Sequence, residues 1–407
     1  MSLGWVASNE KFWTPIIDVV NYFKLRSSYG LVGSDETGLY AGAPHYLYLS
    51  NVNMNGGGYF ESGVTGGFSQ RGPMVNSYPV SNASWERATE FDIGVDLQLF
   101  KQFNFTFDWF SSKRDRILMK RASFPSVLGY QSAIPWANVG KVDNMGFEFS
   151  ANWTKQINKD WFIDARFNWT YSRNKYVYVD EPDYPYVWQT QTGKPLDAMR
   201  GYIADGLFES QAEIDASPDQ SIFGSTIMPG DIRYRDINGD NRITAEDQVM
   251  LSPYGNMPRI QYGFGISVQW KNLDASVFFN GSAKRNIMLT GMYPFCANDS
   301  NDNNLMKWIA DSHWSEGADN SNVLYPRLGT LSTQISNNNQ PSSWWMRNGS
   351  FLRFKTLEIG YRLKWFRLYF SADNLAVWSK FKYWDPELSF NSYPLQRTFN
   401  IGLQFNL

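Results

Sequence analysis

The last nine residues, Phe399 to Leu407, read Phe-Asn-Ile-Gly-Leu-Gln-Phe-Asn-Leu, so every odd position is apolar and every even position polar or Gly, up to the terminal carboxylate. Side chains alternate faces along a strand, and this segment therefore carries one wholly apolar face. In a soluble protein such a strand at a free end invites edge-to-edge aggregation. In a transmembrane β-barrel it is a natural closing strand. Lipid covers the apolar face, a watery lumen takes the polar face, and the neighbouring strands satisfy the backbone. A C-terminal strand of a soluble β-sandwich would account for this one segment equally well, so the rest of the chain has to decide.

The period of two recurs through the chain. It runs through Phe23 to Leu31, Phe91 to Leu99, Phe103 to Trp109, Phe147 to Trp153 and Ile163 to Tyr171. It returns in Tyr262 to Trp270, Leu273 to Phe279, Leu357 to Leu363 and Phe366 to Ala372 before the terminal strand. In Ile163 to Tyr171 the even positions are Asp164, Arg166, Asn168 and Thr170. Charges facing inward suit a wet lumen better than a dry core. Connections are short and long in turn. Lys101-Gln102, Lys271-Asn272 and Lys364-Trp365 are tight, and Lys155 to Phe162 is only a little longer. Between them lie the stretches Val32 to Glu90, Phe110 to Gly146, Ser172 to Gln261, Asn280 to Thr356 and Asp373 to Thr398. That asymmetry is the habit of outer-membrane barrels, whose periplasmic turns are short and extracellular loops long. Ten strands counted this way leave the C-terminus periplasmic.

Composition agrees with a membrane barrel. Of 407 residues 17% are aromatic, including 17 Trp, which suits interfacial girdles. No apolar run approaches the roughly 18 to 20 residues of a membrane helix. A net charge of −2 gives no reason to expect a nucleic-acid partner. The single cysteine, Cys296, permits no internal disulfide and reads as a small packing residue, and two histidines, His45 and His313, make a histidine-based metal or catalytic site improbable. Met-Ser-Leu-Gly-Trp at the N-terminus has no basic segment followed by an apolar core, which for an exported protein implies an upstream region.

Eight segments, in order along nearly the whole chain, resemble the C-terminal portion of SusC/RagA-type TonB-dependent outer-membrane transporters. They are GWVASNEKFW from Gly4, FKLRSSYGLVG from Phe23, WERATEFDIGVDLQLF from Trp85 and NVGKVDNMGFEFS from Asn138. GDIRYRDINGDNRI from Gly230, the HW and YPRL pair at His313 to Leu328, NGSFLRFKTLEIGY from Asn348 and ADNLAVWSKFKYWDPE from Ala372 complete the series. The resemblance implies an all-β fold, an antiparallel transmembrane β-barrel of 22 strands, of which residues 1–407 supply somewhat under half. It implies a plug and a TonB-contacting segment, neither of which is in this sequence, and no catalytic residues. It further implies TonB-driven uptake of glycan or peptide substrates from the cell surface together with a SusD-like lipoprotein. Leu407 departs from the family, where a terminal aromatic is usual. A passive porin and a secreted β-rich carbohydrate-binding protein are the alternatives.

One constellation carries metal chemistry. Asp236, Asn238 and Asp240 occupy positions 1, 3 and 5 of a twelve-residue loop, the Arg242 carbonyl position 7 and Asp247 position 12, the spacing that wraps Ca²⁺ with oxygen ligands. Position 6 is Asn241 instead of Gly, and Asn tolerates the left-handed conformation better than most residues. The short Asp247 side chain makes bidentate capture harder. An Asx-rich turn without an ion is the plainer reading.

Aromatic loop residues are weaker candidates for stacking on sugar rings: Tyr46, Tyr48, Tyr184, Tyr186, Trp188, Trp344 and Trp345. Girdle positions or loop-on-loop packing would explain them equally. Asn298 to Asn304 and Asn337 to Gln340 read as solvated loop tips, and the glycines at 56–58 and 66–67 as loop punctuation. Asn168-Trp-Thr170 is a glycosylation sequon inside an expected strand.

Overall fold

The computed structural model describes residues 1–35, 46–56, 59–62, 68–80, 82–124, 134–289, 305–330, 332–390 and 392–405. His45, Cys296, Asn298 to Asn304, the glycines at 57, 58, 66 and 67, Asn406 and Leu407 lie outside these. Eleven strands form one antiparallel sheet in chain order: β1 (Ser2–Val6), β2 (Val20–Ser34), β3 (Glu86–Leu99), β4 (Phe103–Lys120), β5 (Trp136–Gln156), β6 (Trp161–Tyr178), β7 (Ile260–Trp270), β8 (Leu273–Ala283), β9 (Phe351–Arg362), β10 (Phe366–Ser379) and β11 (Thr398–Phe405). Eight of the ten alternating segments fall wholly inside one of these strands; Leu357 to Leu363 runs one residue past β9, and Phe399 to Leu407 lies in β11 as far as Phe405, the last described residue. The eleventh, β1, pairs with β2 from Ser2 opposite Ser28 to Val6 opposite Lys24. Its five residues are too few to show a period of their own. A short 3-10 connection between Val6 and Val20 joins β1 to β2 at the short-turn rim, so the extra strand leaves β11 ending on that rim.

Register bears out the two faces. Asp164, Arg166, Asn168 and Thr170 stand opposite Thr154, Asn152, Ser150 and Glu148 of β5 and Ser267, Gly265, Gly263 and Gln261 of β7. On the other face Phe167 meets Ala151 and Phe264, and Trp169 meets Phe149 and Tyr262. Among the described residues no second layer covers the apolar face. Phe167 is 38% exposed and Ile401 79%. On the polar face Arg26 of β2 bridges to Asp96 of β3 at 3.2 Å and to Asp108 of β4 at 2.6 Å. Gly94 leaves room for this cluster, since a Cβ there would lie 2.3 Å from the Asp108 carboxylate and 2.7 Å from the guanidinium carbon.

Two of the tight joins use strained residues, one at Phe100 and Lys101 and the other at Lys271. Phe100 and Lys101 both take positive φ, 51° and 54°, between Leu99 and Gln102, the twist that a two-residue hairpin turn needs. At the opposite rim the strands outrun their alternation. β5 has 21 residues, about 70 Å at roughly 3.3 Å each, where a tilted membrane strand needs about 9 to 11. Beyond the apolar band neither face meets lipid, so the period of two lapses while the ladder continues. Stretches that read as loop from sequence, such as Ile117 to Lys120 and Trp136 to Gly140, are therefore strand.

Candidate functional site

The long connections fold against one another into a cap at that rim, and this is where the main buried hydrophobic cluster lies. Tyr202, Ile232, Tyr234, Ile243, Ile287, Leu289, Ile309, Tyr325, Trp345 and Phe381 form it, drawn from the segments after β6, β8 and β10. A sheet with lipid on one side and water on the other has no dry interior, so apolar burial concentrates where loops can cover each other.

A buried network pairs several polar groups inside the cap. Asp231 is 0% exposed and accepts from Arg327 Nε at 2.9 Å and Nη2 at 3.1 Å, from Asn338 Nδ2 at 2.8 Å and from the Met228 N–H at 2.9 Å. Asn337 Nδ2 donates to the Ile232 carbonyl, and Gln220 Nε2 donates to Asn337. Asn337 and Asn338 read as solvated loop tips from sequence, yet both are fully buried. Each amide is consumed by backbone or side-chain partners more than a hundred residues away, which no local signal reveals. Burial holds the Tyr234 phenol far above its ordinary value. Arg353, 1% exposed, ties β9 to the segment after β10 through Asp385 at 2.6 Å and Glu387 at 2.7 Å.

The cap carries a cleft of about 980 Å³. Its walls include Trp314 and Trp344 and five carboxylates: Asp205, Glu209, Glu213, Glu316 and Asp319. Arg233 is held by Glu213 and Arg327 by Asp231, so the two lining guanidiniums are neutralised. The Ser321 hydroxyl and N–H hold the Asp319 carboxyl below its usual range. Gly230, with φ +90°, passes flat against Trp314, where a Cβ would come within 2.3 Å of the indole. These carboxylates come from segments more than a hundred residues apart, and nothing in their local sequence marks them.

The sequence candidates separate. Trp344 lines the cleft, whereas Trp345 sits 1% exposed in the core with Nε1 donating to the Asn338 carbonyl at 2.6 Å, leaving no ring face for a ligand. Tyr186 and Trp188 stack on each other at 4.5 Å, and Trp188 Nε1 donates to the Glu246 carbonyl at 2.7 Å. Tyr184 is half-buried in the same segment. Tyr46 and Tyr48 are exposed, edge to face at 6.3 Å.

In the loop from Asp236 to Asp247, Asn241 has φ +62°, the left-handed conformation expected of position 6. Asp236 accepts N–H bonds from Gly239 at 2.7 Å and Asn241 at 2.8 Å, and Asp240 accepts from Arg242 at 2.8 Å. Asn238 Oδ1 accepts from the Asp240 N–H. Asp247 is fully buried and accepts from the N–H groups of Ile237 at 2.8 Å and Thr244 at 2.7 Å. Among the described residues no three acidic, His or Cys side chains converge as a metal cage. Asp247 Oδ1 accepts from both the Ile237 and Asn238 N–H groups, whereas the Asp236 and Asp240 oxygens and Asp247 Oδ2 each retain a lone pair, in an all-oxygen donor set of the kind that a hard cation takes.

Comparison with known proteins places the fold. The family described as TonB dependent receptor-like, beta-barrel, matches residues 9–375. TonB-dependent receptor P3 of Formosa agariphila is 24% identical over 99% of this chain and 41% of its own length. TonB-dependent receptor SusC of Bacteroides thetaiotaomicron is 24% identical over 99% of the chain and 39% of its own. Among solved structures the RagAB peptide importer in its open-open state superposes with a TM-score of 0.68 at 20% identity, covering 100% of this chain and 42% of that one. The chain thus spans about two-fifths of the relatives it matches, and the eight segments, the two-faced sheet and the family match agree: it belongs to the TonB-dependent receptor β-barrel family of the bacterial outer membrane.

Proposed function

We propose that this chain forms part of the wall and the extracellular cap of an energised nutrient importer. The observation that carries the reading is the cap itself. Its loops are packed around a hydrophobic core and hold open a cleft of about 980 Å³ with two tryptophans and several carboxylates on its walls. Ligand sites favour such loops on a rigid scaffold. Indole faces stack on sugar rings, and carboxylates accept from sugar hydroxyls or peptide amines, so the cargo is a glycan or a peptide, taken with a SusD-like lipoprotein over the cleft. The RagAB relative is a peptide importer by its description. In this reading the long-connection rim is extracellular, the C-terminus periplasmic, and entry is driven by TonB acting on a plug.

The test is uptake of labelled oligosaccharides and peptides by cells with and without TonB. Import should vanish without TonB and should fall in a Trp344→Ala variant that still assembles. Import that persists without TonB would indicate a passive pore and overturn the reading.

We further propose that the Asp236 to Asp247 loop binds one Ca²⁺ through Asp236, Asn238, Asp240, the Arg242 carbonyl and Asp247. The left-handed Asn241 supports it, because it turns the chain where an oxygen cage needs its sharp bend.

A further inference from the structure

The outward, apolar face changes character abruptly at the long-connection rim. Along β6 it reads Ile163, Ala165, Phe167, Trp169 and Tyr171, and then the next two positions on the same face are Arg173 and Lys175. The neighbours change at the same height. Trp109 ends the apolar series on β4 and Met145 ends it on β5, and the register then pairs Lys113 with Asp143 and Asp143 with Lys175. Just above the last aromatic ring lies a second cleft of about 340 Å³, with Tyr171, Tyr254, Met145 and Pro253 as its apolar lining and Arg173 and Lys175 beside them. The Lys284 ammonium stands over both tyrosines, 5.4 Å from the Tyr171 ring and 5.8 Å from the Tyr254 ring.

Among the described residues none of these three cations has a carboxylate partner. Arg173 Nη2 contacts the Met145 sulfur at 3.4 Å, and a nearby guanidinium, Arg259, is paired with Asp197 at 2.9 Å. Asp143, directly across from Lys175 in register, lies outside ion-pair distance of it. Unpaired cations at the edge of an apolar band, over an apolar cleft, match an amphiphile with its anionic group at the interface and its chains along the wall.

We propose that Arg173, Lys175 and Lys284 form a binding site on the outer wall for the phosphate groups of a phosphorylated glycolipid in the outer leaflet. The acyl chains lie against Tyr171 and the aromatic band, and the phosphates sit among the three cations. The choice of leaflet rests on the proposed importer reading, which makes the long-connection rim extracellular.

The experiment uses the full-length protein purified in detergent, with fluorescent diphosphoryl lipid A as probe. Diphosphoryl lipid A should bind at least about tenfold more tightly than its dephosphorylated form, and millimolar inorganic phosphate should fail to displace it. The Arg173→Gln, Lys175→Gln, Lys284→Gln triple variant should bind about a hundredfold more weakly, since each basic residue at a membrane surface contributes roughly fivefold. A charge-conserving triple variant, Arg173→Lys, Lys175→Arg, Lys284→Arg, should bind as the parent and shows that the loss is one of charge and not of folding. Equal binding of the dephosphorylated lipid, displacement by inorganic phosphate, or an unaffected glutamine variant would each overturn the site. Surface labelling of a Lys175→Cys variant in intact cells reports the sidedness separately. Labelling with no lipid preference overturns this site alone, whereas no labelling overturns the extracellular rim and the outer-leaflet ligand with it.

Discussion

Replacing Asp231 with Ala should open the cap while leaving the strand wall folded. The Asp231 carboxylate accepts four hydrogen bonds and is fully buried, and its main partner, Arg327, has a side chain only 15% exposed. Removing one member of a buried ion pair strands the other charge, at a cost of about 3–5 kcal/mol. Asn338, also fully buried, loses a partner in the same step. At about 1.4 kcal/mol per decade, amide protection in residues 231–234 and 335–345 should fall by two or more orders of magnitude. Hydrogen exchange read by mass spectrometry on the detergent-solubilised protein gives the measurement, with β3 to β6 as an internal reference. Asp231→Asn keeps the shape and one acceptor and should lose less. Adding Arg327→Met to Asp231→Ala removes the stranded charge and should restore part of the protection. Unchanged protection in Asp231→Ala, or a decline shared by cap and strands alike, would refute the view that this pair holds a separately stable cap.

Arg placed at Phe167 or Leu403, both on the apolar face, should cost about 2–4 kcal/mol in assembly near the bilayer midplane, whereas Arg at Asn168 or Gln404 should be mild; equal damage, measured by heat-modifiable migration, would contradict the two-face assignment. Millimolar Ca²⁺ should protect the 236–247 loop from proteolysis with a dissociation constant of roughly 10⁻⁴ to 10⁻³ M. Asp236→Ala should abolish that protection, and cleavage that ignores both chelator and variant would remove the ion from the account. Asp180, just beyond β6, is buried, which opposes ionisation, yet bonds from Arg121 and Ser123 outweigh this and lower its pKa. A depressed carboxyl stabilises fully above its unfolded value of about 3.9 and loses that contribution as pH falls through the folded value. Proteolysis around residues 121–124 should therefore rise below about pH 4 and lose its pH dependence in Asp180→Asn. An identical profile in the variant would assign the acid sensitivity to another group.

The ten alternating segments were legible because a membrane strand must show lipid one kind of side chain and water another, and that demand is written residue by residue with a period of two. Short joins and long connections were equally local, and so were the Asp and Asn spacing of the 236–247 loop and its left-handed Asn241. β1 escaped because five residues carry too little pattern, and the rim extensions of β4, β5 and β9 escaped because the pattern stops where lipid does. Asn337 and Asn338 show the limit most clearly. As sequence they are a polar run, and only partners at Ile232, Asp231 and Gln220, more than a hundred residues away, make them the polar centre of the cap. The same holds for the cleft carboxylates and for Lys284 reaching Tyr171. The sequence alone determined which face of each strand meets lipid, since that depends on neighbours two residues apart; tertiary structure alone decided how the long connections pack, since that depends on contacts between segments with no shared period.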